Sequence, residues 1–254
     1  MPTIRQDLSD GVATITINHP PVNALSEHVL LGLIDVLENL PSDARVVLIR
    51  SAVPHQFIAG GDVAELLAAT EDREQIRHHT SITARLFDLM ATLDQPVVAA
   101  VDGPAVGGGL ELLLCCDVVI ASAVAVLGTP EIRLGLIPGA GGTQRLPRRV
   151  GELRALELVL TGRLVDAEEA LRIGLVTRVV ATGSADDAAH DTARRLARSA
   201  PEALRAAKAT VRAASSTGLV DGLALERRHF LTVMESDGAV DGLRHFLDRS
   251  APGS

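Results

Sequence analysis

Apolar and polar positions follow two rhythms along the chain, one of period two and one of period 3.6, and the changes between them mark out the elements. Residues 11 to 17, GVATITI, alternate and are rich in β-branched side chains, which predicts a strand. HPPVNAL follows with two prolines and predicts a turn. Ser26 then stands where a helix cap belongs, and Val29, Leu30, Leu33, Ile34, Leu37 and Leu40 recur at helical spacing until Pro41. RVVLIR, 45 to 50, reads as a short buried strand, and FIAGGDVAELLAA as a glycine-rich turn leading into a helix. Residues 74 to 93 carry Ile82, Leu86, Leu89, Met90 and Leu93 on one helical stripe. PVVAAVDG, 96 to 103, predicts an apolar strand, AVGGGLELLLCC, 105 to 116, a glycine turn opening an apolar helix, and DVVIAS, 117 to 122, another strand.

Strand, glycine turn and buried helix thus occur in succession twice. That order predicts an α/β fold whose helix N-termini lie close to the sheet edges. After residue 150 the pattern changes. Asp166 with Glu169 predicts a capping box before an alanine-rich helix, Gly174 ends it, and LVTRVV predicts a last short strand. From about residue 187 the chain reads as successive helices, separated near Pro201 and Gly218. There is no Pro-, Gly- or Ser-rich linker and no repeat of fixed period. Residues 1–186 are therefore expected to form an α/β core with the active site, and 187–254 a helical region serving oligomerisation.

Composition narrows the function. At 47% hydrophobic and 22% charged residues over 254 positions, the chain is globular in type. It has four Phe and no Trp or Tyr, so the core is aliphatic and no tyrosine can act as a proton donor. Of 24 basic residues only Lys208 is a lysine, which leaves one candidate for Schiff-base chemistry. The many arginines suit phosphate recognition. A net charge of −8 argues against a nucleic-acid partner. Cys115 and Cys116 are adjacent and have no third partner, so no disulfide framework is possible, a cytoplasmic location is expected, and both read as small buried hydrophobes. Neither CxxC nor HExxH occurs, and no metal is expected. No apolar run reaches the ~18 residues of a membrane span, and the N-terminus has no signal core, so no membrane partner is expected.

Three segments carry candidate chemistry: FIAGGDVAEL (57 to 66), DGPAVGGGLEL (102 to 112) and GTPEIRLGLIPGAGGTQRLPRRVG (128 to 151). Gly107, Gly108 and Gly109 open a helix, where backbone N–H groups lack partners within the helix. Gly60 and Gly61 repeat the arrangement. Two such turns could aim one N–H each at the same oxygen, as in an oxyanion hole, or could simply permit tight packing. GGG lacks the spacing of a dinucleotide fingerprint, and no GK[ST] follows to make a P-loop. Glu111 lies on an otherwise apolar helix, where a lone carboxylate is costly, and Glu131 follows Pro130 in a segment of little charge. Converging, the two could manage one water molecule between them. Each could instead pair with a nearby arginine.

Taken together, the three segments resemble the crotonase, or enoyl-CoA hydratase/isomerase, superfamily. PEIRLGLIPGAGGTQRL is the most diagnostic stretch and resembles the hydratase branch. The resemblance runs from the first strand to about residue 180 and continues more loosely through the C-terminal helices. It implies a crotonase-type spiral of ββα units with a C-terminal helical extension. It also implies an acyl-CoA thioester as substrate, with CoA part of that substrate and no further cofactor. The family's two oxyanion N–H groups map to Gly61 and Gly108, and its two hydratase glutamates to Glu111 and Glu131. Glu111 would deprotonate water for attack at the β-carbon, and Glu131 would hold the same water and protonate the α-carbon. PVNAL resembles the family's CoA loop, with Ala24 as a contact, while Ala59, Gly60, Asp62 and Val63 would line the CoA path. A homotrimer or hexamer is implied.

Two departures from the family pattern stand out. Gly61 replaces the more frequent alanine, and the C-terminus, DRSAPGS, has only Arg249 in place of a basic, aromatic CoA-touching stretch. Three alternatives follow from the same residues. One is a double-bond isomerase relying mainly on Glu131. Another is an inactive acyl-CoA binder, against which both retained glutamates argue. The last is an RNA binder using Arg194, Arg195, Arg198, Arg205, Lys208 and Arg212, against which a solvated helix face is the plainer reading.

Overall fold

A computed structural model of the chain describes residues 3–250. Its main sheet has six strands in the order β1 (Ile4–Ser9), β2 (Val12–Ile17), β3 (Val46–Ser51), β4 (Val97–Val101), β6 (Val118–Ser122) and β9 (Arg178–Val180). Only the β1–β2 pair is antiparallel; every later pair is parallel. A parallel sheet is covered on both faces, and its strands show why. Ile15, Ile17, Val47, Ile49, Val97 and Ala99 point into one apolar cluster. The residues between them, among them Val46, Leu48, Val98 and Ala100, point into a second cluster with Ala189, Ala193 and Ala197. Those alanines belong to α8 (Ala185–Ala197), which lies against β3 and β4. Residue 187, where the sequence reading starts the helical region, therefore sits inside a helix that packs on the sheet.

On the other face lie α1 (Glu27–Glu38), α3 (Arg73–Thr92) and α4 (Gly108–Cys115), whose stripes Val29–Leu37, Leu86–Met90 and Leu110–Cys115 are buried. Ser26 caps α1 as expected, accepting from Val29 N at 3.4 Å. Cys115 and Cys116 are buried with 2% and 1% exposure.

A second, smaller layer positions the site. It comprises β5 (Ala105–Val106), β7 (Val126–Gly128) and β8 (Leu164–Asp166), none longer than three residues. Two isolated parallel bridges extend it: Ile58 to Ala105, and Leu25 to Gly61. Four of the six main-sheet strands thus feed a short extended segment of the second layer and then a helix or 3-10 turn. Strand β2 leads through Leu25 to α1, and β3 through Ile58–Gly61 to α2 (Val63–Ala69). Strand β4 leads through β5 to α4, and β6 through β7 to a 3-10 turn at Pro130–Leu134. These pairings bring the segments that precede α1, α2, α4 and the 3-10 turn into one layer.

The rest of the chain comprises α5 (Gly142–Val150), α6 (Glu152–Thr161), α7 (Ala167–Arg172), α9 (Pro201–Ala213), α10 (Leu219–Met234) and α11 (Asp237–Ser250). The capping box at Asp166 forms by half. Asp166 accepts from Glu169 N at 2.7 Å, but the Glu169 carboxylate turns to Arg163 at 2.8 Å instead of back to the cap. The basic run on α8 and α9 is not one solvated face either. Lys208 and Arg212 turn inward to Asp117, at 3.0 and 2.7 Å, because buried carbonyls there need donors. The side chain of Arg249 lies outside the described residues. No described helix is long and apolar enough to cross a membrane.

Candidate active site

The loop between β2 and α1 is fixed by Asn23, whose side chain accepts from His19 N at 2.7 Å and donates to Ser51 Oγ and the Phe57 carbonyl at 2.7 and 2.8 Å. Two backbone bonds then bind it to the glycine turn after β3: Ala59 N to the Val22 carbonyl and Leu25 N to the Gly60 carbonyl, at 3.1 and 2.8 Å. Ala24, Ala59 and Gly60 therefore lie on adjoining backbone segments. Asp62 has a local role as the cap of α2, accepting from Ala64 and Glu65 N–H at 2.9 and 3.1 Å. Val63, the first residue of α2, is exposed.

The GGG turn approaches that segment closely. A Cβ on Gly109 would collide with the Ile58 carbonyl, so only glycine lets α4 start there. A Cβ on Gly108 would lie 3.9 Å from Gly61 N, which measures how near the two turns come. Gly108 is the first residue of α4, where N–H groups lack intrahelical partners.

Gly61, Gly108, Glu111 and Glu131 all line one cavity of about 310 Å³. Leu25, Leu30, Leu66, Phe87, Leu136 and Ile137 supply its apolar wall, and His79, Thr80 and Thr83 of α3 one polar strip. Ala24, Ala59, Gly60, Asp62 and Val63 do not line the cavity and lie on the segments that frame it.

The two carboxyls differ in their partners. Glu111 is 3% exposed, and its Oε1 accepts from Ala140 N at 2.8 Å and Gly142 N at 2.7 Å, leaving Oε2 for another donor. Burial raises its pKa; the bonds from Gly142 and Ala140 and the charge of Arg145 act the other way. Glu131 Oε2 is buried and, among the described residues, has no hydrogen-bond partner. Burial first, and the charge of Glu111 third after an opposing backbone bond, push the Glu131 pKa up to about 7. Neither glutamate has an arginine ion pair among the described residues. Arg145 instead donates to the Ala140 carbonyl at 2.9 Å and lies where a Cβ of Gly141 would be. Gly141 has φ +102°, a conformation that favours glycine, and a side chain there would also displace the Arg145 guanidinium.

The sequence reading did not anticipate the Ala140 and Gly142 amides, Arg145, or the strip on α3. The GAGG run at 139 to 142 was the available signal, since successive glycines expose backbone N–H groups to a buried acceptor.

Comparison with known proteins identifies the family. The enoyl-CoA hydratase/isomerase family model matches residues 7–253. A crystal structure of an enoyl-CoA hydratase from Bacillus anthracis superposes with a TM-score of 0.92 at 37% identity, covering 98% of this chain and 97% of that one. An enoyl-CoA hydratase from Polaromonas sp. JS666 gives 0.92 at 30% identity, with 97% of both chains covered. The mitochondrial methylglutaconyl-CoA hydratase of Mus musculus is 36% identical over 95% of this chain and 79% of its own length. On its family match and its α/β fold, the chain is an enzyme of the enoyl-CoA hydratase/isomerase, or crotonase, family.

Proposed function

We propose that the protein is an enoyl-CoA hydratase, adding water across the 2,3 double bond of a 2-enoyl-CoA thioester to give the 3-hydroxyacyl-CoA. The observation that carries this is the meeting in one cavity of two carboxyls that lack an ion pair among the described residues and two glycine turns. The N–H groups of Gly61 and Gly108 hold the thioester carbonyl and stabilise the enolate-like oxygen formed when water attacks C3. Glu111, whose two N–H bonds oppose the upward pull of burial, takes the proton from that water. Glu131, with a pKa of about 7, is protonated in a large fraction of molecules near neutrality and delivers a proton to C2. One hydroxyl and one proton are added in all, and the carboxyl pair then re-equilibrates its remaining proton through water. Ala24, Ala59, Gly60, Asp62 and Val63 run along the CoA portion. A homotrimer or hexamer in the cytoplasm fits the apolar side chains left exposed on α10 and α11, such as Phe230, Leu231 and Leu243.

Crotonyl-CoA tests this reading through loss of absorbance of the conjugated thioester. Turnover that falls by orders of magnitude in both Glu111→Gln and Glu131→Gln is expected. No turnover of crotonyl-CoA or of a longer 2-enoyl thioester overturns it, and turnover of a 3-enoyl thioester alone would make the enzyme an isomerase.

A further inference from the structure

Buried polar atoms without partners are rare and need a reason. Among the described residues, two such atoms belong to side chains lining the active-site cavity: Glu131 Oε2 and Thr83 Oγ1. The first is accounted for by the water it would hold. The second is not.

Thr83 sits on α3, and a helical threonine ordinarily donates to the carbonyl one turn back. Thr80 does so to Ile76 at 2.7 Å and Thr92 to Asp88 at 2.9 Å. The Thr83 hydroxyl has no such bond. His79 lines the same cavity one turn earlier on the same helix face. With Gly61 and Gly108 on the thioester carbonyl and the glutamates at C2 and C3, the acyl chain beyond C3 has the aliphatic wall and this strip as its surroundings. At about 310 Å³ the cavity lies at the small end of ligand sites, which favours a short acyl group.

We propose that Thr83, with His79 beside it, reads a neutral oxygen substituent, a hydroxyl or carbonyl, on the acyl group beyond C3. This inference rests on the hydratase reading above. The substituent is neutral because the cavity already holds two carboxyls and, among the described residues, no arginine or lysine lines it. A third carboxylate would meet like charge in a partly desolvated space.

The test compares kcat/KM for hydration of four thioesters: 2-pentenoyl-CoA, its 4-hydroxy and 5-hydroxy forms, and the form carrying a carboxylate at C5. We expect one hydroxylated form to be favoured over 2-pentenoyl-CoA by about fivefold, the worth of one neutral hydrogen bond. The carboxylate form should be the slowest. Thr83→Val should erase the preference and Thr83→Ser keep it. Thr92→Val, on the same helix outside the cavity, should give the parent's ratios. Hydration of 2-pentenoyl-CoA with no hydroxyl preference, or a preference that survives Thr83→Val, overturns the role of Thr83. A preference for the carboxylate overturns the neutral class. No hydration of any of the four sinks the hydratase reading and this inference with it.

Discussion

The two ends of helix α4 handle buried charge in opposite ways, although they are only about 12 Å apart by helical rise. At the C-terminal end every charged group has hydrogen-bonding partners. Asp117 accepts from Lys208, Arg212 and Val97 N at 3.0, 2.7 and 2.7 Å. Arg212 also donates to the Ala91 and Cys115 carbonyls at 2.8 and 2.6 Å, and Arg149 to the Leu114 and Cys116 carbonyls at 3.3 and 3.2 Å. At the N-terminal end, among the described residues, Glu111 and Glu131 form no ion pair, and Glu131 Oε2 has no hydrogen-bond partner. A saturated cluster holds structure, and an unsaturated one leaves bonding capacity for a ligand. The first end fastens α9 to the core; the second keeps a carboxyl near neutrality in its titration.

The largest effect should come from removing charge at the unsaturated end. Glu111→Gln and Glu131→Gln each keep the side chain's shape and lose its proton chemistry. We predict a fall in crotonyl-CoA turnover of roughly 10² to 10⁴ for either, the span of a lost general acid or base. The double variant should be little worse than the poorer single one, since the two act on one water. Both variants should remain folded, as circular dichroism would show. Unfolded variants would mean that these carboxyls serve structure after all, and the contrast between the two ends would fail.

At the saturated end the expected loss is stability. Asp117→Ala leaves Lys208, whose side chain is 7% exposed, and Arg212 without their carboxylate. We predict a cost of about 2–4 kcal/mol in denaturant unfolding, because an unpaired buried charge is the costly product. At temperatures where the variant is folded, its kcat should stay within a fewfold of the parent. A large fall in kcat with unchanged stability would contradict the assignment.

Much of this was legible in the sequence, and what was missed has a common cause. Strands β2, β3, β4 and β6 and helices α1, α3 and α4 announce themselves by local period. Strands β5, β7 and β8 are two or three residues long and exist only through pairing with distant segments, such as Leu127 with Ala105 and Val165. Strand β1, IRQDLS, has mostly polar side chains because it is an edge whose outer side meets water. In the site, Glu111 and Glu131 stood out as carboxylates in apolar surroundings. The amides of Ala140 and Gly142 did not, because a backbone donor has no side-chain signature. Lys208 and Arg212 looked like surface charge because their partner Asp117 lies far away in the chain.

Between the two ends stands Arg145, which holds the 140–142 loop by the Ala140 carbonyl and lends its charge to Glu111. Arg145→Gln should lower kcat by about tenfold, the range of one charge-assisted bond, with KM little changed. The acid limb of the rate profile should move to higher pH, since the arginine opposes the upward pull of burial on Glu111. An unshifted limb would reduce Arg145 to a packing residue.

The smallest effect gives the sharpest contrast, because the two ends should respond to loss of a carboxylate with opposite signs. Glu131 titrates near 4.5 when unfolded and at about 7 when folded, raised chiefly by burial. Between those values the folded state binds more protons than the unfolded one, so this group's contribution falls as pH rises and reaches its full penalty above pH 7. Glu131→Gln carries no such term. Relative to the parent, its stability should therefore rise between pH 5 and pH 8, by about 1–2 kcal/mol after allowing for partial exposure. Asp117→Ala should be less stable than the parent at both pH values. Urea unfolding at pH 5 and 8 on the three proteins decides it. A Glu131→Gln variant that lost ground to the parent as pH rose would show that the carboxylate is stabilised where it sits, and that the active-site end is as saturated as the other.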